Sequence, residues 1–516
     1  MSMKPPVPPE PELHQAIRLG DLTTADRLLK SGVDVDARCD LEVDNGPHLR
    51  KLTPLMVAAR SIDGASVETL RWLCNRGADL HARSEGGNTA AWYAAGKGGR
   101  WEFHEWRLCD DHADRLRFLL DAGLDPHECN SVGRSLMIEA CDAADPLAVE
   151  LLLSRGVSAL PEFGAKQARD ASMQTFEDVK ARLREMHGQA PSQQLLDQLS
   201  SSIMGTGDTE SLNEYQIPIF KSAASGSADC VRLLLDAGAP VDSRTSHRHT
   251  PLMRAGSAEV ARLLIEGGAD VHAESDQYDV LTELLNGNCM GACRASPAEI
   301  ADVVVAAGAD IEQRDKYGYT RLYQMAFQVN APAVEFLLQR GANPNAEQRD
   351  GVTPLFAIAW QGEKDDEQYS VDCRRIVELL VTAGVDPNQR ENSGCTAMHE
   401  AAFGDWASPT AIEALLRAGA DPDPVNLNGV TPLMLAASNG DLNAVRLLLN
   451  AGADRQRRDN TGKTAVDFAR DHLETWKQIV ANPGDHTNLP DFPELREKSH
   501  LDALTKAQQS FELLNS

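Results

Sequence analysis

GVTPLMLAASNGDLNAVRLLLNAGAD, residues 429–454, holds two short helical patterns between two breakers. Thr431 can cap a helix, because its hydroxyl accepts a bond from an unpaired backbone N–H. Pro432 suits the first helical position, where no N–H is needed. Leu433, Ala436 and Ala437 form an apolar stripe with small members, so a neighbouring helix can approach closely. Gly440 ends this helix. Val445, Leu448 and Leu449 form the stripe of a second helix, and Gly452 permits the left-handed turn that stops it. Each helix is only a few turns long and unstable alone, so the unit must stack on copies of itself.

The copies are present. Thr-Pro-Leu recurs at Thr53–Leu55, Thr250–Leu252 and Thr353–Leu355, with looser versions starting at Thr89, Thr320, Thr396 and Thr464. The second helix and its stop recur as RFLLDAGLD (117–125), RLLLDAGAP (232–240), RLLIEGGAD (262–270), EFLLQRGAN (335–343) and ELLVTAGVD (378–386). Stop glycines fall at 32, 77, 123, 156, 238, 268, 308, 341, 384, 419 and 452, and Gly188 and Gly484 extend the series. Their shortest regular steps are 32 to 35 residues.

Cap, alanine pair, leucine run and glycine stop recur in phase, and on those residues the chain resembles the ankyrin-repeat family, with its repeat of about 33 residues and T-P-L-H-x-A signature. The resemblance covers roughly residues 10–484. It implies an all-α, curved solenoid of about 12–13 helix–turn–helix repeats with short hairpin tips and inter-helix insertions. It also implies a non-enzymatic scaffold that binds another protein along its concave face, and that could inhibit or neutralise it. The matching contact positions are the hairpin tips and the ends of the first helices: Tyr317, Tyr319, Trp360, Phe403, Asn428 and Asn460. Aromatics make up only 5% of the chain, so four of them across three consecutive repeats stand out as interface anchors.

The repeats organise the chain. Residues 1–11 are a Pro-rich lead expected to be disordered, 12–188 hold the N-terminal repeats, and 217–484 hold the C-terminal ones. Residues 162–187 read as a degenerate repeat. Residues 189–216 break the rhythm as a hinge or an insertion. A tail follows at 485–516, with a helix near 494–514 expected to fold back over the last repeat; the alternative is a detached partner-binding helix. Insertions separate the two helices of a repeat at 96–114, 287–297 and 361–373, and residues 38–51 lengthen a hairpin. The repeat at 250–270 is about three residues short, and the one at 281–310 lacks its Thr-Pro start, so a kink is expected between 250 and 300.

A net charge of −27 disfavours nucleic-acid backbones and anionic lipid surfaces. It favours a basic partner, or simply keeps a long molecule soluble. The start, MSMKPPVPPEPE, has no apolar signal region, and no apolar run approaches a membrane span. Ten scattered cysteines, with Cys141 and Cys230 inside helical patterns, read as reduced thiols in a cytoplasmic setting. No cofactor is expected. AAGKGGRW (94–101) lacks the phosphate-loop frame, because Ala91 and Gly98 stand where Gly and Ser or Thr are required. HEWRLCDDH (104–112) and the Cys289/Cys293 pair match no strong metal motif. His247 and His249 read as a polar turn, and His81, His127 and His272 as hairpin positions. A second aromatic group, Trp92, Tyr93, Trp101, Phe103 and Trp106, packs on its own repeat or lines a partner-binding pocket, with Trp101 and Trp106 as the candidates. The alternative function is a metal-dependent or ligand-binding site in the insertions 96–114 and 287–297, and self-association is a third possibility.

Overall fold

The computed structural model describes residues 11–41, 49–60, 64–96, 111–131, 133–160, 217–287, 297–348, 350–360, 367–404, 407–481 and 493–515. They form two compact units, Met1–Ala309 and Asp310–Ser516.

In the first unit the helices come in pairs: α1 (Glu12–Arg18) with α2 (Leu22–Lys30), α3 (Pro54–Arg60) with α4 (Val67–Cys74), α5 (Ala90–Ala95) with α6 (His112–Asp121), and α7 (Leu136–Asp142) with α8 (Pro146–Ser154). They continue with α9 (Pro218–Ser225) and α10 (Ala228–Asp236), a 3-10 turn (Leu252–Arg254) with α11 (Ala258–Glu266), and α12 (Val280–Leu285) with α13 (Pro297–Ala306). The second unit holds α14 (Arg321–Phe327) with α15 (Ala331–Gln339), α16 (Pro354–Ala359) with α17 (Glu367–Thr382), α18 (Ala397–Ala401) with α19 (Pro409–Arg417), α20 (Pro432–Asn439) with α21 (Leu442–Asn450), and α22 (Ala465–Ala481) with α23 (Pro493–Asn515).

Within each unit, first helices pack on first helices. Second helices do the same from α4 to α13 in the first unit and from α15 to α23 in the second. The buried layer is small and aliphatic: Ala436, Ala437, Val445 and Leu448 of the quoted stretch are fully buried. The lengthened hairpin at 38–51 becomes a two-stranded antiparallel ribbon, β1 (Cys39–Leu41) with β2 (Leu49–Leu52), in which Cys39 pairs with Leu52. Cys141 and Cys230 are buried in α7 and α10; desolvation pushes both thiols up, Cys230 to about 12.

The capping pattern is richer than Thr-Pro-Leu suggests. Thr431 and Thr320 accept from the N–H groups of Met434 and Tyr323, both at 3.3 Å. Thr250 and Thr353 do not cap: their hydroxyls are buried without a partner among the described residues. The physical reason is a tighter first turn, in which the Met253 N–H goes to the Thr250 carbonyl (3.1 Å) and the Phe356 N–H to the Thr353 carbonyl (3.0 Å). In the short repeat this turn is all that remains of the first helix. Second helices are capped instead by Asp21, Asp145, Ser227, Ser257, Asn330, Ser408 and Asp441.

The pair α7/α8 packs directly on α9/α10, although residues 161–216 separate them in sequence. Lys221 Nζ lies 3.7 Å from Asp142 Oδ1 across that junction. The degenerate repeat at 162–187 and the spacer at 189–216 lie outside the described residues. So do residues 1–10 of the lead, and the insertions 97–110, 288–296 and 361–366, which contain Trp101, Trp106, His104, Cys109, Cys289 and Cys293. The terminal helix α23 packs on α22, α21 and α20, and the Ser510 hydroxyl donates to the Gly440 carbonyl at 3.1 Å.

All eleven stop glycines from Gly32 to Gly452 have positive φ. They divide by surroundings from the tip glycines. A Cβ at Gly452 (φ +97°) meets nothing within 4 Å, whereas one at Gly429 (φ +73°) meets Asn460 Oδ1 at 2.7 Å and the Asn460 nitrogen at 2.9 Å. Gly452→Ala should therefore cost about 1 kcal/mol of left-handed strain. Gly429→Ala should cost about 2–3 kcal/mol, because the next hairpin must also move. Urea unfolding of the two variants checks the order, and equal costs would show that the hairpins do not abut as described.

Candidate protein-interaction face

Each hairpin tip is built locally. In the second unit, Asp315 Oδ1 accepts from the N–H groups of Tyr317 and Tyr319 at 2.9 Å, and its Oδ2 accepts from Gln324 Nε2 at 2.8 Å. Glu391, Asn426 and Asp459 hold three later tips, at Gly394, Gly429 and Gly462, in the same way. At three of the tips an arginine four residues before the tip glycine ties the turn down. Arg314 Nη1 donates to the carbonyls of Gly318 (2.8 Å) and Glu347 (3.1 Å), Arg390 to those of Gly394 (2.8 Å) and Val425, and Arg458 to that of Gly462 (2.6 Å). Arg314 and Arg390 thereby reach into the following repeat. Backbone bonds continue the link: Asn392 N–H to Asp350 O (3.0 Å), Leu427 N–H to Ser393 O (3.1 Å) and Asn460 N–H to Asn428 O (3.0 Å).

Asn460 also gives its side-chain amide to the Leu427 carbonyl at 2.9 Å, so its polar groups stitch neighbouring tips. Asn428 is exposed, with its N–H held by Asn426 Oδ1 at 2.9 Å. The N–H groups of His81, His127 and His272 are donated to Asp79, Asp125 and Asp270 at 2.9–3.0 Å; in these positions it is the backbone that the hairpin uses.

Aromatic rings run on from the tip into the helices. Tyr317 lies 6.5 Å from Tyr319, Tyr319 stacks on Tyr323 at 4.6 Å, and Tyr323 meets the edge of Trp360 at 6.5 Å. The Trp360 indole N–H donates to Glu400 Oε2 at 2.7 Å, which carries the chain of contacts into the third repeat. Tyr323 is buried, and desolvation pushes its phenol well up. Burial likewise raises the Glu400 carboxyl, against the opposing Trp360 bond.

Phe403 is 53% exposed and Tyr317 65%. Two further apolar side chains join them: Phe327 at the end of α14, 42% exposed, and Leu427 at a tip, 70% exposed. Phe327, Trp360 and Phe403 each stand seven residues after their repeat's opening threonine, Thr320, Thr353 and Thr396. Counting from that threonine exposes Phe327 as the third member of a series in which Trp360 and Phe403 are the other two. In the first unit, Tyr93 is buried and Trp92 is half-buried, 5.4 Å from it in an edge-on contact.

Stacked helix pairs joined by stitched hairpins, with one row of first-helix ends left open, define a repeat-built scaffold. The family model for ankyrin repeats (three copies) matches residues 13–106, 189–275 and 405–491, and the chain belongs to the ankyrin-repeat family. Its fold class is the all-α ankyrin solenoid, a protein–protein interaction scaffold. The chain is 28% identical to the ankyrin repeat protein nuc-2 of Neurospora crassa over 254 residues, 48% of this chain and 22% of that one. It is 30% identical to the mitochondrial disaggregase of Bos taurus over 174 residues, 33% of this chain and 24% of that one. It is 39% identical to the glycerophosphocholine phosphodiesterase gde1 of Schizosaccharomyces pombe over 119 residues, 23% of this chain and 10% of that one. The chain thus spans less than a quarter of each of these relatives. No helix among the described residues is long and apolar enough to cross a membrane.

Beneath this face His399 joins two repeats. The Thr396 N–H donates to its Nδ1 at 3.0 Å, so Nε2 carries the proton and donates to the Val430 carbonyl at 3.1 Å. Burial lowers its pKa to about 4, against the opposing Val430 bond. The unfolded chain, titrating near 6.5, then binds more protons than the folded one as acid is added. His399's linked stability is complete above about pH 6.5 and is lost by up to about 3 kcal/mol as pH falls toward 4. In NMR titration the His399 ring signals should hold still from pH 8 to pH 5.5. A midpoint near 6.5 would show that the ring is not buried between these repeats.

Proposed function

We propose that this chain is a non-enzymatic binding module that grips another protein with the open face of residues 310–440, and so can occlude it. The observation that carries this reading is the row Phe327, Trp360 and Phe403 at one position of three consecutive repeats. Large rings left half in water are costly unless something covers them, and such rings dominate contact energy in interfaces. Tyr317, Tyr319 and Leu427 extend the face along the tips, with Asn428 and Asn460 beyond them. A short stack of bonded repeats holds the rings in place before the partner arrives, which lowers the ordering cost of binding.

The relatives agree in sharing repeats and differ in everything else their names say. Phosphodiesterase and disaggregase are names of those longer proteins, and this chain matches a minor part of each. The net charge of −27 favours a basic partner. The scattered cysteines, Cys141 and Cys230 among them buried as free thiols, fit a reducing cytoplasmic setting, and neither nucleic acid nor membrane fits the charge as a partner. Trp101 and Trp106 would be further contact residues for a partner.

Proteins retained by the immobilised chain and identified by mass spectrometry supply the partner, and three variants test the face. Phe327→Ala and Phe403→Ala should each weaken the complex by ten-fold or more, in line with about 2 kcal/mol for a central aromatic anchor. Leu147→Ala, an exposed leucine of the first unit, should leave it unchanged. Equal affinity of all three variants would move the interface elsewhere.

A further inference from the structure

The proposed face carries one feature that an aromatic anchor row does not need. Glu400 is a carboxylate set among rings. Its Oε2 accepts the Trp360 indole N–H at 2.7 Å, and Trp360 in turn meets Tyr323 edge-on at 6.5 Å. Phe403, exposed, follows three residues on, just past the end of α18, where its backbone N–H donates to the Glu400 carbonyl at 3.1 Å. Among the described residues no Lys, Arg or His is paired with Glu400, and its Oε1 has no hydrogen-bond partner. The group is half-buried, and the nearby Glu391 adds like charge rather than compensation. A partly desolvated carboxylate with one oxygen engaged by an indole is well placed to take a cation, and among the described residues none sits beside it.

We propose that Glu400, Trp360 and Phe403 form a receptor for one cationic side chain of the partner, an arginine or lysine seated against the rings with its charge on Glu400 Oε1. This rests on the binding face proposed above and adds the chemistry of its central contact. Two independent attractions meet there. Ring faces attract a cation through their quadrupoles, and the carboxylate supplies a charge-assisted hydrogen bond. Trp360 is the positioning group, because its indole N–H fixes the rotamer of the carboxylate. The chain's acidic balance steers basic segments toward the receptor. Because burial raises the Glu400 carboxyl, affinity for the cation should decline on acidification sooner than for a glutamate in water.

The probe is acetyl-Gly-Arg-Arg-Gly-amide, with its citrulline counterpart as an uncharged control of nearly the same shape. The readout is the Trp360 indole N–H resonance of the full chain, assigned with Trp360→Phe. The arginine peptide should shift that resonance saturably, and the citrulline peptide should not. Glu400→Gln keeps an acceptor for the indole, so the Trp360 resonance reports that the fold survives, while affinity should fall by ten-fold or more. Phe403→Ala should weaken binding by several-fold. A citrulline peptide that binds equally, or a Glu400→Gln chain that binds arginine unchanged, overturns the receptor and leaves an apolar contact. If Phe327→Ala abolishes partner capture while the arginine peptide has no effect, the face stands and the cation assignment falls. If both fail, the face itself is wrong.

Discussion

A helix of six to nine residues cannot hold itself together in water, and most helices of this chain are that short. Each gains its stability from the apolar side of the next pair. α16, Pro354–Ala359, buries all six of its residues, and its first-helix neighbours are α14 and α18. The alanines that make close approach possible contribute little area each; the leucines and valines of the second helices contribute most of it. Between them, the tips add a second tie, in which an arginine, an acidic or amide side chain and one backbone bond pass from repeat to repeat. Stability is therefore a sum over neighbours, and insertions at the turns disturb it little.

The same economy creates a surface. A first helix has one side on its own partner, two sides on its neighbours and one end free. Whatever residue occupies that end is not needed for the stack, so it can be chosen for contact with something else. In the second unit those ends carry Phe327, Trp360 and Phe403, and between the last two stands Glu400. Two of the rings stay substantially in water, and the third is fixed through its indole by the carboxylate. Exposed rings lower solubility, and the chain's large negative charge offsets that cost.

Much of this is legible in the sequence because the repeat writes it many times. Gly32 to Gly452 mark the left-handed turns, and all eleven have the expected backbone. Phase gave Tyr317, Trp360 and Phe403 their places at tips and helix ends. Other features escape single-sequence reading for physical reasons. Thr250 and Thr353 look like caps, yet a slightly tighter turn sends the N–H to the carbonyl instead. Asn460 looks like a free contact residue, but its amide is spent on the neighbouring tip. Glu400 is invisible as a site until Trp360, forty residues earlier, is brought beside it. Phe327 was within reach of the sequence, since it repeats the threonine-plus-seven spacing of its two fellows. The direct contact of α7/α8 with α9/α10 could not be foreseen, because nothing local says which repeats will meet across a long intervening segment.

The claim beneath all of this is that each repeat borrows its structure from its neighbours. Far-UV circular dichroism of the isolated peptide 429–454 in water tests it most directly. In the protein α20 and α21 make this stretch mostly helical. Alone it should show little helix at 25 °C. Helix content close to that in the protein would contradict the account, because the repeat would then own the structure that stacking is held to supply.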